Sequence, residues 1–222
     1  MFTAGVYLWF KNVMISREQI FKYRIKLIKK AGALPTHELR VKLQEILLDS
    51  KLPFEWTKSG PHLVLGPGEK QVNIQNLCQY VDVYFTRDIS THLINQELNP
   101  LLKDSGYEIA LIEQIPHNLC SVESLAKYVC YEASPIVLKG DLPGELLVQV
   151  NDKVVNLRPL IKQLKALGDS KIEIITELSA LRSIGIEQML MKLPCLEVQS
   201  TSLLLERKAL LWEDSAGVLR QV

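Results

Sequence analysis

The sequence predicts an α+β fold of two lobes, the first ferredoxin-like (βαββαβ) and the second a smaller mixed α+β lobe. Two observations lead there. Over residues 21–116 the apolar residues alternate in some segments and recur at helical spacing in others, in the order strand, helix, strand, strand, helix, strand. A polar, turn-prone stretch at 116–124 then separates this half from a second mixed run at 125–214. A chain of 222 residues has room for two small domains. At this size roughly 70% of the unfolded surface is buried, so neither a disulfide nor a metal is needed for folding.

Residues 1–20 read as an N-terminal extension. Their start is apolar but lacks a basic n-region and a long apolar core, and Met14 is an alternative start. Phe21, Tyr23, Ile25 and Leu27 alternate with Lys22, Arg24 and Lys26, which is the pattern of a half-buried strand. Thr36 is placed to cap a helix whose apolar face is Leu39, Leu43, Ile46 and Leu47. Residues 54–57 read as a short strand, and 59–69 as a loop rich in glycine and proline. Val81, Val83 and Phe85 alternate with Tyr80, Asp82 and Tyr84 in another strand. Ser90 caps a second helix with Ile94, Leu98, Leu101 and Leu102 on one face; Gly106 ends it, and a strand begins at Tyr107. Each helix has a single apolar stripe, so both are expected on one face of the sheet. Beyond the linker, strands are expected at 127–132 and 171–177, and a hairpin around residues 151–153. Leu160, Ile161, Leu164 and Leu167 fit a helix, as do Ile186, Met189, Leu190 and Leu193, and residues 202–212 form the last strand.

The formal net charge of +1 leaves no global field toward nucleic acid or membrane. No apolar run is long enough to span a bilayer. Cys78, Cys120, Cys130 and Cys195 form no C-x-x-C pair and fit no zinc or iron–sulfur spacing. Buried thiols in a reducing cytoplasm are the simplest reading. Catalytic signatures are missing as well. No C-x-x-x-C-x-x-C run is present to hold an iron–sulfur cluster, and no G-x-S-x-G elbow occurs. The loop GPGEK at 66–70 is too short for a phosphate-cradling P-loop and lacks the following Ser or Thr. The four histidines never pair at ligand spacing. An Arg–Asp neighbour pair like Arg87–Asp88 occurs in some RNA pseudouridine synthases, but here it precedes a helix cap, where Asp88 favours the positive helix end. No catalytic residue, metal site or cofactor is therefore expected.

Alternation also predicts a candidate binding face. With Tyr23 and Val83 toward the helices, Lys22, Arg24, Lys26, Tyr80, Asp82 and Tyr84 share the other side of the sheet. Basic and aromatic side chains on an open sheet hold phosphates and stack bases, so RNA is a candidate partner. The same pattern also fits a solvated face, or one buried against the second lobe.

Several segments resemble the radical-SAM-linked proteins, a bacterial family without a settled function. They are YRIKLIKKAGAL with THELRVKLQEILLDSKLPFEW, CQYVDVYF at 78–85, ELNPLLKDSGYEI at 97–109, VNLRPLIKQL at 155–164, and the final strand with Arg207. The similarity covers most of residues 21–212. The family's S-H-x-D segment corresponds here, with a shift, to Pro35-Thr36-His37-Glu38, and its G-F-N-P to Ser59-Gly60-Pro61-His62. The resemblance implies an accessory role beside a radical S-adenosylmethionine enzyme. It adds His37, Arg158 and Arg207 to the candidate ligand-binding residues.

The expected function is thus a non-catalytic cytoplasmic accessory protein, presenting an RNA or protein substrate on the open face or in a cleft between lobes. One alternative is an RNA-modifying enzyme on paired ferredoxin-like lobes, with Asp82 or Asp88 at the base of a basic cleft. The other is a purely protein-binding module.

Overall fold

A computed structural model describes residues 19–30, 33–68, 74–150, 153–199 and 203–222, with the side chains of residues 36, 37, 182 and 183 outside that description. The N-terminal extension, apart from Gln19 and Ile20, and Met14 also lie outside the described residues.

In chain order, β1 (Phe21–Lys29) leads to α1 (Thr36–Asp49), the short strands β2 (Trp56–Thr57), β3 (Gly60–Pro61) and β4 (Leu63–Leu65), and then the long β5 (Gln75–Phe85). α2 (Thr91–Lys103), β6 (Tyr107–Ile115) and the one-turn α3 (Val122–Leu125) complete the first half. The second half begins with β7 (Tyr128–Ser134), β8 (Ile136–Leu138), β9 (Leu147–Val150) and β10 (Lys153–Asn156). β11 (Ile161–Ala166), β12 (Ile172–Glu177), α4 (Leu178–Ser183) and α5 (Ile186–Met191) follow. The chain closes with β13 (Leu196–Val198), β14 (Leu204–Glu213) and β15 (Leu219–Gln221).

These strands overturn the predicted fold class. The chain is mostly β, 44% strand against 22% helix, and nine of the described strands form one large mixed sheet rather than a ferredoxin-like lobe beside a second lobe. The nine-stranded sheet runs β11-β12-β7-β14-β5-β1-β6, with β15 on β14 and β4 on β5. The two halves join where β14 lies parallel to β5, through Glu206↔Gln75 and Arg207↔Asn76. The reason lies in strand edges. β4 covers β5 only at Val81–Val83, so the other end of that edge is open, and β14 takes it. An apolar pattern reports which faces are buried, whereas edge pairing is a matter of backbone groups that the pattern does not record.

A second correction concerns the helix expected around 160–167. Arg158–Leu160 form a single 3₁₀ turn, and the chain then extends as β11 along β12. A β-bulge between Ile161 and Gln163 adds a residue, so Ile161 and Leu164 both pack on the second-half core although they are three apart. That spacing imitates a helix.

α1 and α2 cover one face of the first half. Leu39, Leu43, Ile46 and Leu47 from α1, and Ile94, Leu98 and Leu102 from α2, pack on Tyr23, Ile25, Leu27, Val81 and Val83. Each such side chain contributes about 1.5–3 kcal/mol by leaving water. Ser90 caps α2, its hydroxyl accepting from the Leu93 N–H at 3.2 Å. At α1 the cap position belongs to Pro35, and Thr36 is the first helical residue. The core of the second half crosses the junction. Ile74 just before β5, Cys78 and Tyr80 of β5 and Val122 of α3 sit in one cluster with Val129, Tyr131, Ile172, Ile174, Met189, Leu190 and Leu205.

Gly106 turns the chain from α2 into β6 at φ +77, and a Cβ there would lie 2.6 Å from the Ala33 Cα. Gly106→Ala meets both a strained backbone and a backbone clash, so it is expected to cost about 2–4 kcal/mol. Urea unfolding measures this; a loss below about 1 kcal/mol would show that the close approach is not rigid.

Candidate functional site

The face predicted to hold RNA forms, but it is closed. The register sets Lys22 opposite Tyr84, Arg24 opposite Asp82 and Lys26 opposite Tyr80, so the six residues do share one side of the sheet. The chain after β6 folds back over them. Lys22 is 1%, Arg24 5% and Asp82 0% exposed, and Tyr80 and Tyr84 are buried; only Lys26 is half-exposed. The expectation of an open, base-stacking platform is corrected accordingly. Its physical reason is that alternating charged and apolar residues mark a sheet with two different faces, and a covering loop rich in inward carbonyls satisfies cations as water does.

The covering contacts centre on Asp82. Its Oδ1 accepts from Arg24 Nε at 2.8 Å, and its Oδ2 from Arg24 Nη2 at 3.1 Å and from the Val122 N–H at 2.9 Å. Lys22 Nζ lies 3.2 Å from Asp82 Oδ2 and donates to the carbonyls of Leu119 at 2.9 Å and Cys120 at 3.3 Å. Arg24 Nη2 also donates to the Cys120 carbonyl, at 3.1 Å. The cluster thus joins β1, β5 and the start of α3, and no side chain in it is presented to solvent as a ligand. Burial, followed by the Asp82 charge, raises the Tyr84 phenol above its ordinary range, and burial does the same to Tyr80.

At the rim, His62 stacks on Tyr84 with ring centres 3.9 Å apart, and its Nδ1 meets Glu55 Oε2 at 2.5 Å. Sequence spacing did not single out this pair. Glu55 and His62 flank the β2–β3 hairpin, which places them side by side. Asp88 accepts from the Tyr23 hydroxyl at 2.6 Å and from Gln114 Nε2 at 3.3 Å.

The remaining candidates are scattered. The His37 side chain lies outside the described residues. Arg207 is buried at the β14–β5 junction, where its Nη2 donates to the Pro67 carbonyl at 2.8 Å. Arg158 is half-buried and lines an open cleft of about 350 Å³ with Leu138, Gly140, Asp141, Lys162 and Gln163. Arg158 Nη1 donates to the Ile161 carbonyl at 3.1 Å, and among the described residues no carboxylate pairs with its guanidinium. Lys162 sits 5.1 Å above the Tyr128 ring and 3.3 Å from Glu213 Oε1. Asp141 contributes a carboxylate to the lining. Sequence reading missed Lys162 and Asp141. The signal available was Pro159 directly after Arg158, which marks a turn rather than a helix interior.

Cys78, Cys130 and Cys195 are buried, and burial pushes the Cys130 thiol up to about 12, with the Glu173 charge adding to it. Cys120 departs from the buried thiol expected of it: its carbonyl turns inward to the cations and its side chain is exposed. Among the described residues no helix is long and apolar enough to cross a membrane. Comparison with protein-family models and with curated proteins finds no match for the chain.

Asp82→Asn keeps the shape of the side chain but strands two buried cations, so it is expected to lower stability by about 3–5 kcal/mol. Denaturant unfolding of the variant reads this out. A loss within about 1 kcal/mol of zero would mean that Lys22 and Arg24 reach water without the carboxylate.

Proposed function

We propose that the chain is a non-catalytic, cytoplasmic accessory protein that holds an anionic substrate for a radical S-adenosylmethionine enzyme. The observation that carries the binding role is the cleft beside β11, where Lys162 and the Arg158 guanidinium, which has no carboxylate partner among the described residues, line a volume of about 350 Å³. That volume lies within the range of small-ligand sites. A planar guanidinium suits carboxylate and phosphate groups, and the Asp141 carboxylate suits a ligand that also carries a donor. The class of enzyme partner rests on the sequence resemblance alone, and VNLRPLIKQL, one of the segments that carry it, supplies Arg158 and Lys162. The cytoplasmic setting rests on the unpaired cysteines.

RNA on the β1–β5 face is no part of this reading, since Lys22 and Arg24 are spent beneath the covering loop. An RNA-modifying enzyme would place a carboxylate at the base of an open basic cleft. Asp82 is instead sealed and Asp88 is tied to Tyr23 at the sheet's rim.

The test is affinity purification of the wild type and of an Arg158→Ala/Lys162→Ala variant from the native host, with protein, RNA and small molecules identified. A radical enzyme is expected with both proteins, and an anionic small molecule is expected to fall about tenfold or more on the variant, one charge-assisted hydrogen bond being worth that much. Recovery of neither, or equal recovery of the small molecule on both, ends the reading.

A further inference from the structure

Arg207 is a buried cation at the seam of the sheet. It is 1% exposed and among the largest fully buried side chains. Among the described residues its guanidinium makes one hydrogen bond, from Nη2 to the Pro67 carbonyl at 2.8 Å, and its Nε is buried with no acceptor. Among the described residues no carboxylate forms an ion pair with it. The neighbouring amides are already committed. Asn76, its register partner on β5, accepts from the Cys78 N–H at 2.9 Å, and Gln79 Nε2 donates to the carbonyls of Gly66 at 3.2 Å and Tyr80 at 3.3 Å. Arginine is almost never fully buried unless paired. Holding an uncompensated guanidinium out of water costs several kcal/mol. Lys22 and Arg24, equally buried, show what compensation looks like in this chain: a carboxylate and loop carbonyls within 3.3 Å.

We infer that Arg207, set beneath Gly66-Pro67-Gly68 at the seam between the halves of the sheet, anchors an oxyanion site that takes the phosphoryl group of a ligand. The sequence GPGEK lacks what a phosphate-cradling P-loop needs, because such a loop works through its backbone N–H groups and a following hydroxyl. Here a side chain supplies the donors. A guanidinium offers five N–H groups in a fixed fork, and two of them in parallel match a phosphate edge. The backbone at Gly66 is closely packed: a Cβ there would lie 3.1 Å from Val122 Cγ2 and 3.2 Å from the Tyr80 carbonyl, so the position takes no side chain. This site is separate from the Arg158 cleft and does not depend on it.

The experiment is thermal unfolding of the full chain in chloride buffer with inorganic phosphate, and separately with glycerol 3-phosphate, added at constant ionic strength. Wild type is expected to gain roughly 5 °C at phosphate a hundredfold above its dissociation constant. A larger response to the ester than to inorganic phosphate identifies an ester as the source. Arg207→Met is expected to be at least as stable as wild type in chloride, because the uncompensated charge is gone, and to lose the response. Arg207→Lys keeps charge without the fork, and its response weakens about tenfold. Arg158→Ala/Lys162→Ala keeps the full response, so failure of the cleft and failure of this site are told apart. A wild type without a shift overturns the inference, as does an Arg207→Met protein that shifts equally or loses stability in chloride. Should Arg207→Met not fold, the ³¹P line of phosphate with wild type decides: broadening that the ester competes away supports the site, and an unbroadened line overturns it.

Discussion

The Asp82 carboxylate is the interaction on which the arrangement rests. It stands on β5, draws in two cations from β1, and takes the first N–H of α3. A carboxylate with this many donors holds them only while water is kept out, and α3 is what keeps water out. The consequences run outward from it. α3 held in this place inserts Val122 into the core that both halves share. Val122 in turn fills the space that a side chain at residue 66 would take, and the Gly66 N–H is bound to the Tyr80 carbonyl at 2.9 Å. The next residue, Pro67, presents its carbonyl to Arg207. A charge on the first strand pair is thereby connected, contact by contact, to the seam with β14.

Much of this was legible in the sequence, and the limit falls at a physical boundary. The alternation of Phe21–Leu27 assigned Tyr23 and Ile25 to the helices and Lys22 and Arg24 to the far side, and Ser90 announced the start of α2, because these are local rules of period and capping. Whether the far side meets water or protein depends on residues ninety-seven positions away, the Lys22–Leu119 separation, and nothing local encodes that. The parallel β14–β5 junction is non-local in the same way, and so the single sheet was not visible. β11 failed for a different reason: its bulge gave a strand the spacing of a helix.

The resemblance and the structure bear on each other at particular residues. CQYVDVYF and YRIKLIKK hold the Asp82 cluster, which is used internally. VNLRPLIKQL and the last strand hold Arg158 and Arg207, which have no carboxylate partner among the described residues. Asp82 and its cations thus close the fold, whereas the charges of Arg158 and Arg207 are left without a carboxylate among the described residues. Cations of the second kind are better guides to binding, since a compensated charge must break its pairs before it can serve a ligand.

The two arginines are not equivalent. Arg158 belongs to the second half alone, and every residue lining its cleft lies between Leu138 and Leu164. Arg207 lies on β14, but the carbonyl it meets comes from the segment between β4 and β5, in the first half. An anion at Arg207 therefore touches both halves where, among the described residues, two register pairs join β14 to β5. Neutralising the guanidinium there removes a penalty carried by the folded chain where β14 meets β5, whereas filling the Arg158 cleft leaves that junction untouched. A ligand at the seam stabilises the whole sheet, and one in the cleft stabilises the half that holds it.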